Sequence, residues 1–151
     1  MIKKQAIWIA MFILSTTTSA IAEPMCAPFK VVGGAGNSVS KQVSQPNMTQ
    51  LVRSNWDTDF AVPTRESFKR FVVTLKSESS AKAPFQVQIN LKYSDRTVDN
   101  AFDSKVELDP GKSKVITVMP RINNQPYQVN VNVGGTDAIG YGYNLSVSGC
   151  E

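Results

Sequence analysis

Residues 85–93, Phe-Gln-Val-Gln-Ile-Asn-Leu-Lys-Tyr, alternate without a break. Phe85, Val87, Ile89, Leu91 and Tyr93 share one parity; Gln86, Gln88, Asn90 and Lys92 share the other. A period of two puts the first set on the buried face of a strand and the second in water, which a helical repeat cannot do. The pattern returns at residues 127–133, where Tyr127, Val129, Val131 and Val133 alternate with Gln128, Asn130 and Asn132. It returns again at residues 139–148, with Ile139, Tyr141, Tyr143, Leu145 and Val147 against Gly140, Gly142, Asn144, Ser146 and Ser148. Upstream, Trp56, Thr58, Phe60 and Val62 alternate with Asp57, Asp59 and Ala61. Residues 67–76 carry apolar side chains on both parities, the mark of a strand covered on both sides. Residues 114–119 make a further strand with Val115, Ile116 and Val118, and Leu51 and Val52 start another.

Turn chemistry separates these runs: residues 78–84, Ser94-Asp95-Arg96, Asp109-Pro110-Gly111-Lys112, residues 121–125 and Gly134-Gly135-Thr136-Asp137. Residues 97–108 are the least periodic and read as a loop with a short strand. The last two strands read as a hairpin. Seven or eight short strands with turns between them predict an all-β chain, an antiparallel β-sandwich of the jelly-roll-like kind.

The first 22 residues read as a removable leader. Lys3 and Lys4 precede an apolar run over residues 6–14, and Ala20-Ile21-Ala22 has the small-x-small form of a cleavage site. The run is shorter than the roughly 20 residues a spanning helix needs, which argues against the alternative of a retained anchor. Residues 23–151 then form a single domain, with no membrane span after cleavage. The whole chain has 16 Lys+Arg and 12 Asp+Glu. Without Lys3 and Lys4 the balance is 14 against 12, a net charge of +2, and no Lys/Arg cluster points to nucleic acid.

Two cysteines remain, Cys26 near the start of the expected domain and Cys150 next to its last residue. In an exported chain this spacing predicts a disulfide joining the two ends; two free thiols are the alternative. Between residues 33 and 50 the chain is Gly-, Ser- and Gln-rich and reads as a flexible segment. Its Gly33-Gly34-Ala35-Gly36 lacks the Gly-Lys-Ser/Thr ending and following helix of a phosphate loop.

Histidine is absent, which removes the histidine-based nucleophile triads and the commonest metal ligand. No catalytic residue is assigned, and no enzyme is predicted. Asp57 and Asp59, two apart on one strand, share a face and are candidates to serve hydrolysis or bind a cation, against the favoured alternative of ordinary solvent-facing charge next to Trp56. Asp95, Asp99 and Asp103 are candidate calcium ligands, although their spacing is not that of a known calcium loop. No cofactor is expected, with calcium at these three residues as the alternative. Trp56, Tyr141 and Tyr143 are candidate ligand-binding aromatics, against the alternative of core packing. The Gly140-Tyr141-Gly142-Tyr143 run draws attention because a glycine within a strand allows close approach of another group.

Over residues 65–148 the chain resembles the pre-peptidase C-terminal type of β-sandwich found on secreted bacterial proteins. The resemblance rests on Phe71-Val72-Val73-Thr74-Leu75, Ile89-Asn90-Leu91-Lys92-Tyr93-Ser94-Asp95, Gln125-Pro126-Tyr127-Gln128-Val129-Asn130-Val131 and Gly142-Tyr143-Asn144-Leu145-Ser146-Val147. It implies a binding, targeting or maturation-related module. Residues 23–64 lie outside it, and a free-standing module with no attached enzyme is the expectation. The expectation is an exported, non-enzymatic binding or accessory protein, periplasmic or secreted, such as a chaperone-like partner of a secreted toxin or protease. The alternatives are a structural subunit of a surface assembly and a module that binds a cell-surface polysaccharide.

Overall fold

The computed structural model describes residues 25–46 and 55–151. The expected leader (1–22) and the strand start at Leu51 and Val52 lie outside the described residues. Within them the chain forms β1 (Cys26–Pro28), β2 (Lys30–Val31), β3 (Ser38–Gln42), β4 (Asp57–Ala61), β5 (Arg70–Ser77), β6 (Ala83–Lys92), β7 (Val98–Leu108), β8 (Ser113–Val118), β9 (Gln128–Gly134) and β10 (Gly142–Cys150). A short 3₁₀ turn, Thr136–Ala138, precedes the last strand. All pairings are antiparallel.

The strands divide into two five-stranded sheets. The first runs β1-β10-β5-β8, with β3 pairing β10 as well. Here β1 takes the stretch from Ser148 to Cys150 and β3 the stretch from Gly142 to Ser146. The second runs β2-β4-β9-β6-β7. The expected all-β sandwich of antiparallel sheets is therefore present, with the ends joined by the Cys26–Cys150 disulfide.

The alternation of the sequence is the alternation of burial. In β6, Phe85, Val87, Ile89 and Leu91 are fully buried between the sheets, as are Val129, Val131 and Val133 of β9. Phe71, Val73 and Leu75 of β5 and Tyr143, Leu145 and Val147 of β10 face them from the first sheet. Each such side chain contributes about 1.5–3 kcal/mol on leaving water. Phe29, Phe68 and Phe71 close one end of the core, with Phe29 edge-on to the other two at centroid distances of 5.1 and 5.6 Å. They fit because Gly149 has no side chain: a Cβ there would come within 2.5 Å of the Phe68 ring and 2.6 Å of Phe29.

Several expectations change. Residues 97–108 form one long strand, β7, rather than a loop and a short strand. The register slips between Ile89 and Asn90: Ile89 faces Phe102, while Asn90 faces Asn100. Ala101 is thus an extra residue, and such a bulge changes parity mid-strand, which erased the period. The expected flexible segment contains β3 at Ser38–Gln42, while residues 47–50 lie outside the described part. The last two strands are not a hairpin, because β9 and β10 belong to different sheets. The link between them buries Ala138 and carries Gly135 at φ 103° and Gly140 at φ 87°, a path across the end of the sandwich rather than a tight reversal. Tyr127 precedes β9 and is half exposed instead of buried.

Candidate functional site

The outer face of the second sheet is built from the polar parity of its strands. Direct cross-strand partners place Asp59 of β4, Asn130 of β9, Asn90 of β6 and Asn100 of β7 in one row. A second row holds Asp57, Asn132, Gln88 and Asp103. Such neighbours have Cβ atoms about 5 Å apart, near enough for short amide side chains to meet.

They do meet. Asn100 Nδ2 donates to Asn90 Oδ1 (3.0 Å), and Asn90 Nδ2 donates to Asn130 Oδ1 (3.2 Å). Asn130 Nδ2 then donates to Asp59 Oδ1 (2.8 Å) and Asp57 Oδ1 (3.2 Å). Lys92 Nζ reaches the same Asp59 oxygen at 3.2 Å. Beside this row, Gln86 and Gln88 each donate from Nε2 to one oxygen of Asp103, both at 2.8 Å. The result is a ladder of amides and carboxylates across four strands. Each amide has two N–H donors and two acceptor lone pairs, so the contacts within the ladder leave capacity on the solvent side. The bonds also hold the side chains in place before any ligand arrives, which lowers the ordering cost of binding.

Trp56 stands at the upper margin of this sheet. Its indole occupies the space a Cβ at Gly134 would need, and Nε1 donates to the Ser44 carbonyl (2.8 Å). Gly134→Ala is expected to displace the ring and cost about 1–3 kcal/mol, the usual range for overpacking. A shift in tryptophan emission together with a lower urea midpoint would establish this; an unchanged spectrum would refute it.

The other expected site residues disperse. Tyr143 lies fully buried against Phe85. Burial, with the Asp57 charge adding to it, pushes the pKa of its hydroxyl up, and only Thr58 opposes the shift. Tyr143 is a core residue and cannot meet a ligand at the surface. Its cross-strand neighbour Lys41 turns inward and bridges the sheets. The Lys41 ammonium donates to the Asn55 (3.2 Å) and Asp57 (2.8 Å) carbonyls and to Thr58 Oγ1 (2.8 Å). Desolvation lowers its pKa, with Asp57 and Asp59 opposing the shift. Tyr141 is partly buried against the core and lines an open cleft of about 720 Å³ with Gln42, Glu78, Ser80 and Ile139.

The three candidate calcium ligands do not converge. Asp99 is held by the Arg121 guanidinium through Nε (2.8 Å) and Nη2 (2.6 Å). Asp95 accepts from the Thr97 backbone N–H (2.9 Å) and lies 3.6 Å from Arg121 Nη1. Asp103 belongs to the ladder. Among the described residues no group of three or more acids or cysteines is placed to hold a metal ion.

Arg121 also stacks over Tyr93, its Cζ 4.1 Å from the ring centroid. The Arg121 hydrogen bonds hold the Asp99 carboxyl below the usual carboxylate range, and the Thr97 hydroxyl does the same for Asp95. A depressed pKa stabilises the fold above the unfolded value and ceases to do so as pH falls through the folded one. Arg121→Gln is therefore expected to reduce stability near neutrality and to flatten its acid dependence. Urea midpoints between about pH 5 and about pH 2 would show the difference, and parallel curves would count against the clamp.

No family model and no curated protein matches the chain. The resemblance over residues 65–148 therefore rests on its strand motifs alone. Solved structures give loose likenesses. A CBM4 structure matches at 14% identity over 87% of this chain and 81% of that one, with a TM-score of 0.45. The CBM22-1 xylan-binding domain of Paenibacillus barcinonensis Xyn10C matches at 9% identity over 82% and 95%, with a TM-score of 0.37. The enzymatically active domain of bacteriophage CBA120 tailspike protein 4 matches at 11% identity over 85% of this chain and 19% of that one, also at 0.37.

The ladder was half visible in the sequence. Gln86, Gln88, Asn90, Asn130 and Asn132 share the polar parity of their strands. What parity could not show is that β6 lies between β9 and β7.

Proposed function

We propose that this protein is a non-catalytic binding module for a neutral polysaccharide, held on the outer face of the β2-β4-β9-β6-β7 sheet. The observation that carries the reading is the hydrogen-bonded ladder from Asp59 through Asn130 and Asn90 to Asn100, flanked by Gln86, Gln88 and Asp103. A sugar hydroxyl donates and accepts at once, and amides beside carboxylates offer both functions in one plane. A phosphate polymer would call for a row of cations instead. The array pins Asp57 and Asp59 as acceptors on the shared Asn130 amide, which suits holding a ligand better than moving a proton. The disulfide agrees with an exported location, periplasmic or extracellular.

Affinity electrophoresis through gels containing a soluble xylan, a β-glucan or a mannan tests the proposal. At least one polymer should retard the protein, and Gln88→Ala with Asn90→Ala should remove the retardation while the fold persists. Retardation by none of them, or an unaffected double variant, would reject this face.

A further inference from the structure

β7 is the longest strand among the described residues, and it lies at the outer edge of its sheet. It has 11 residues, whereas β2, at the other edge of that sheet, has two. Edge strands are ordinarily short, interrupted by proline or covered, because their unpaired main-chain groups invite another strand. β7 contains no proline, and its bulge at Ala101 precedes the stretch from Phe102 to Leu108. Among the described residues no strand pairs with its outer side.

Register decides which of its main-chain groups face outward. In an antiparallel sheet a residue turns its N–H and C=O to the same neighbour, and the next residue turns to the other side. The Val133 N–H donates to the Trp56 carbonyl (2.9 Å), so the apolar parity of β9 bonds toward β4 and its polar parity toward β6. Gln86, Gln88 and Asn90 are therefore bonded to β9, which leaves Phe85 and Val87 for β7. The Tyr93 N–H on the Thr97 carbonyl (3.0 Å) agrees. Val106 and Ser104 stand opposite Phe85 and Val87 and bond to them. Asp103, Lys105 and Glu107, the residues between and beyond, turn their N–H and C=O groups to the open edge.

The charges on this edge complement themselves when the strand is reversed. Asp103 accepts from Gln86 and Gln88 and meets no cation among the described residues. Lys105 lies 3.7 Å from Glu107, which Lys82 engages at 3.1 Å. Two copies of β7 laid antiparallel about a twofold axis at Ser104 set Asp103 of each opposite Lys105 of the other. Both residues turn their main-chain groups to the edge, so each pair exchanges two main-chain hydrogen bonds and sets opposite charges side by side. An axis at Lys105 would oppose lysine to lysine and Asp103 to Glu107. An axis at Val106 would oppose Asp103 to Asp109.

We infer that the protein forms a symmetric dimer through β7, joining the two copies' second sheets into one ten-stranded sheet. The axis stands perpendicular to that sheet, so the two amide ladders lie on one continuous face. A single strand pair buries far less than the roughly 800 Å² per partner of a standard interface, so the dimer is weak and concentration-dependent. A second copy is the favoured occupant because the Asp-Ser-Lys order supplies its own complement. The inference does not rest on polysaccharide binding, which uses the sheet face rather than its edge.

Sedimentation velocity of the disulfide-bonded protein over a concentration series is the test. A monomer–dimer equilibrium is expected, weaker at high salt than at low. Asp103→Lys alone and Lys105→Asp alone should each weaken dimerisation about tenfold or more, since like charges then face each other. An equimolar mixture of the two variants should recover a dimer as stable as the parent's, because each supplies the charge the other lacks. Both positions are exposed, and circular dichroism would confirm that the variants fold. Protein that stays monomeric at millimolar concentration overturns the inference. A dimer that either single variant leaves intact, or that the mixture fails to restore, assigns the contact to another surface and overturns it equally. Growth beyond the dimer also rejects it, because a twofold exchange leaves no free β7 edge.

Discussion

Replacing Cys26 and Cys150 by serine is expected to lower the free energy of unfolding by about 5 kcal/mol in the chain-entropy description. The bridge joins residues 124 positions apart, so it restrains nearly the whole expected domain in the unfolded state. The folded state adds a local reason. β1 has three residues and pairs only with the end of β10, so little else keeps the entering segment on the sheet. Loss of β1 would uncover Phe29, which packs on Phe68 and Phe71 and whose N–H donates to the Val147 carbonyl (2.8 Å). Urea unfolding with and without reductant measures the effect. A midpoint that moves little on reduction would mean that β1 and Phe29 hold without the bridge. A changed slope would show that reduction has also altered the compactness of the unfolded chain.

The second large effect is expected from Asn130→Asp. Asn130 is 6% exposed, and among the described residues its amide is the only donor shared by Asp57 and Asp59. The substitution removes that donor and places a third carboxylate against the other two. Charges at such separations repel by about 1–4 kcal/mol each in a partly screened setting, so a loss of about 2–3 kcal/mol near neutral pH is expected. Like-charge crowding raises a carboxylate's folded pKa. The variant should therefore recover stability as pH falls and protons neutralise the cluster, and lose it as pH rises. Polysaccharide retardation should vanish with it, because the row from Asp59 to Asn100 is cut at its second member. Comparing Asn130→Asp with Asn130→Ala at two pH values separates repulsion from the lost hydrogen bonds. Equal losses at both pH values would eliminate the electrostatic account.

Much of the architecture could be read from residue parity. Phe85, Val87, Ile89 and Leu91 are buried and Gln86, Gln88, Asn90 and Lys92 face outward because a strand alternates its side chains whatever it pairs with. β3 could not be read this way. Ser-Val-Ser-Lys-Gln has no apolar alternation, and it is a strand because β10 offers a free backbone edge to it. Among the candidate site residues, Tyr143 and Tyr141 share a parity, yet one is sealed beneath Phe85 and the other lines an open cleft. Tyr141 lies before the strand begins, where parity no longer decides direction.

By itself the sequence determined the all-β class, the inward and outward faces of most strands and the pairing of its two cysteines, because each follows from local period or from there being one partner to choose. Tertiary structure alone decided which strands are neighbours. Asn90 and Asn130 are 40 positions apart and Asp59 and Asn130 are 71 apart, so their hydrogen bonds exist only once β4, β9, β6 and β7 lie side by side. The same holds for Arg121 and Asp99. A side chain's face is set by its own backbone, but its neighbours are set by the order of strands in the sheet, and no local pattern records that order.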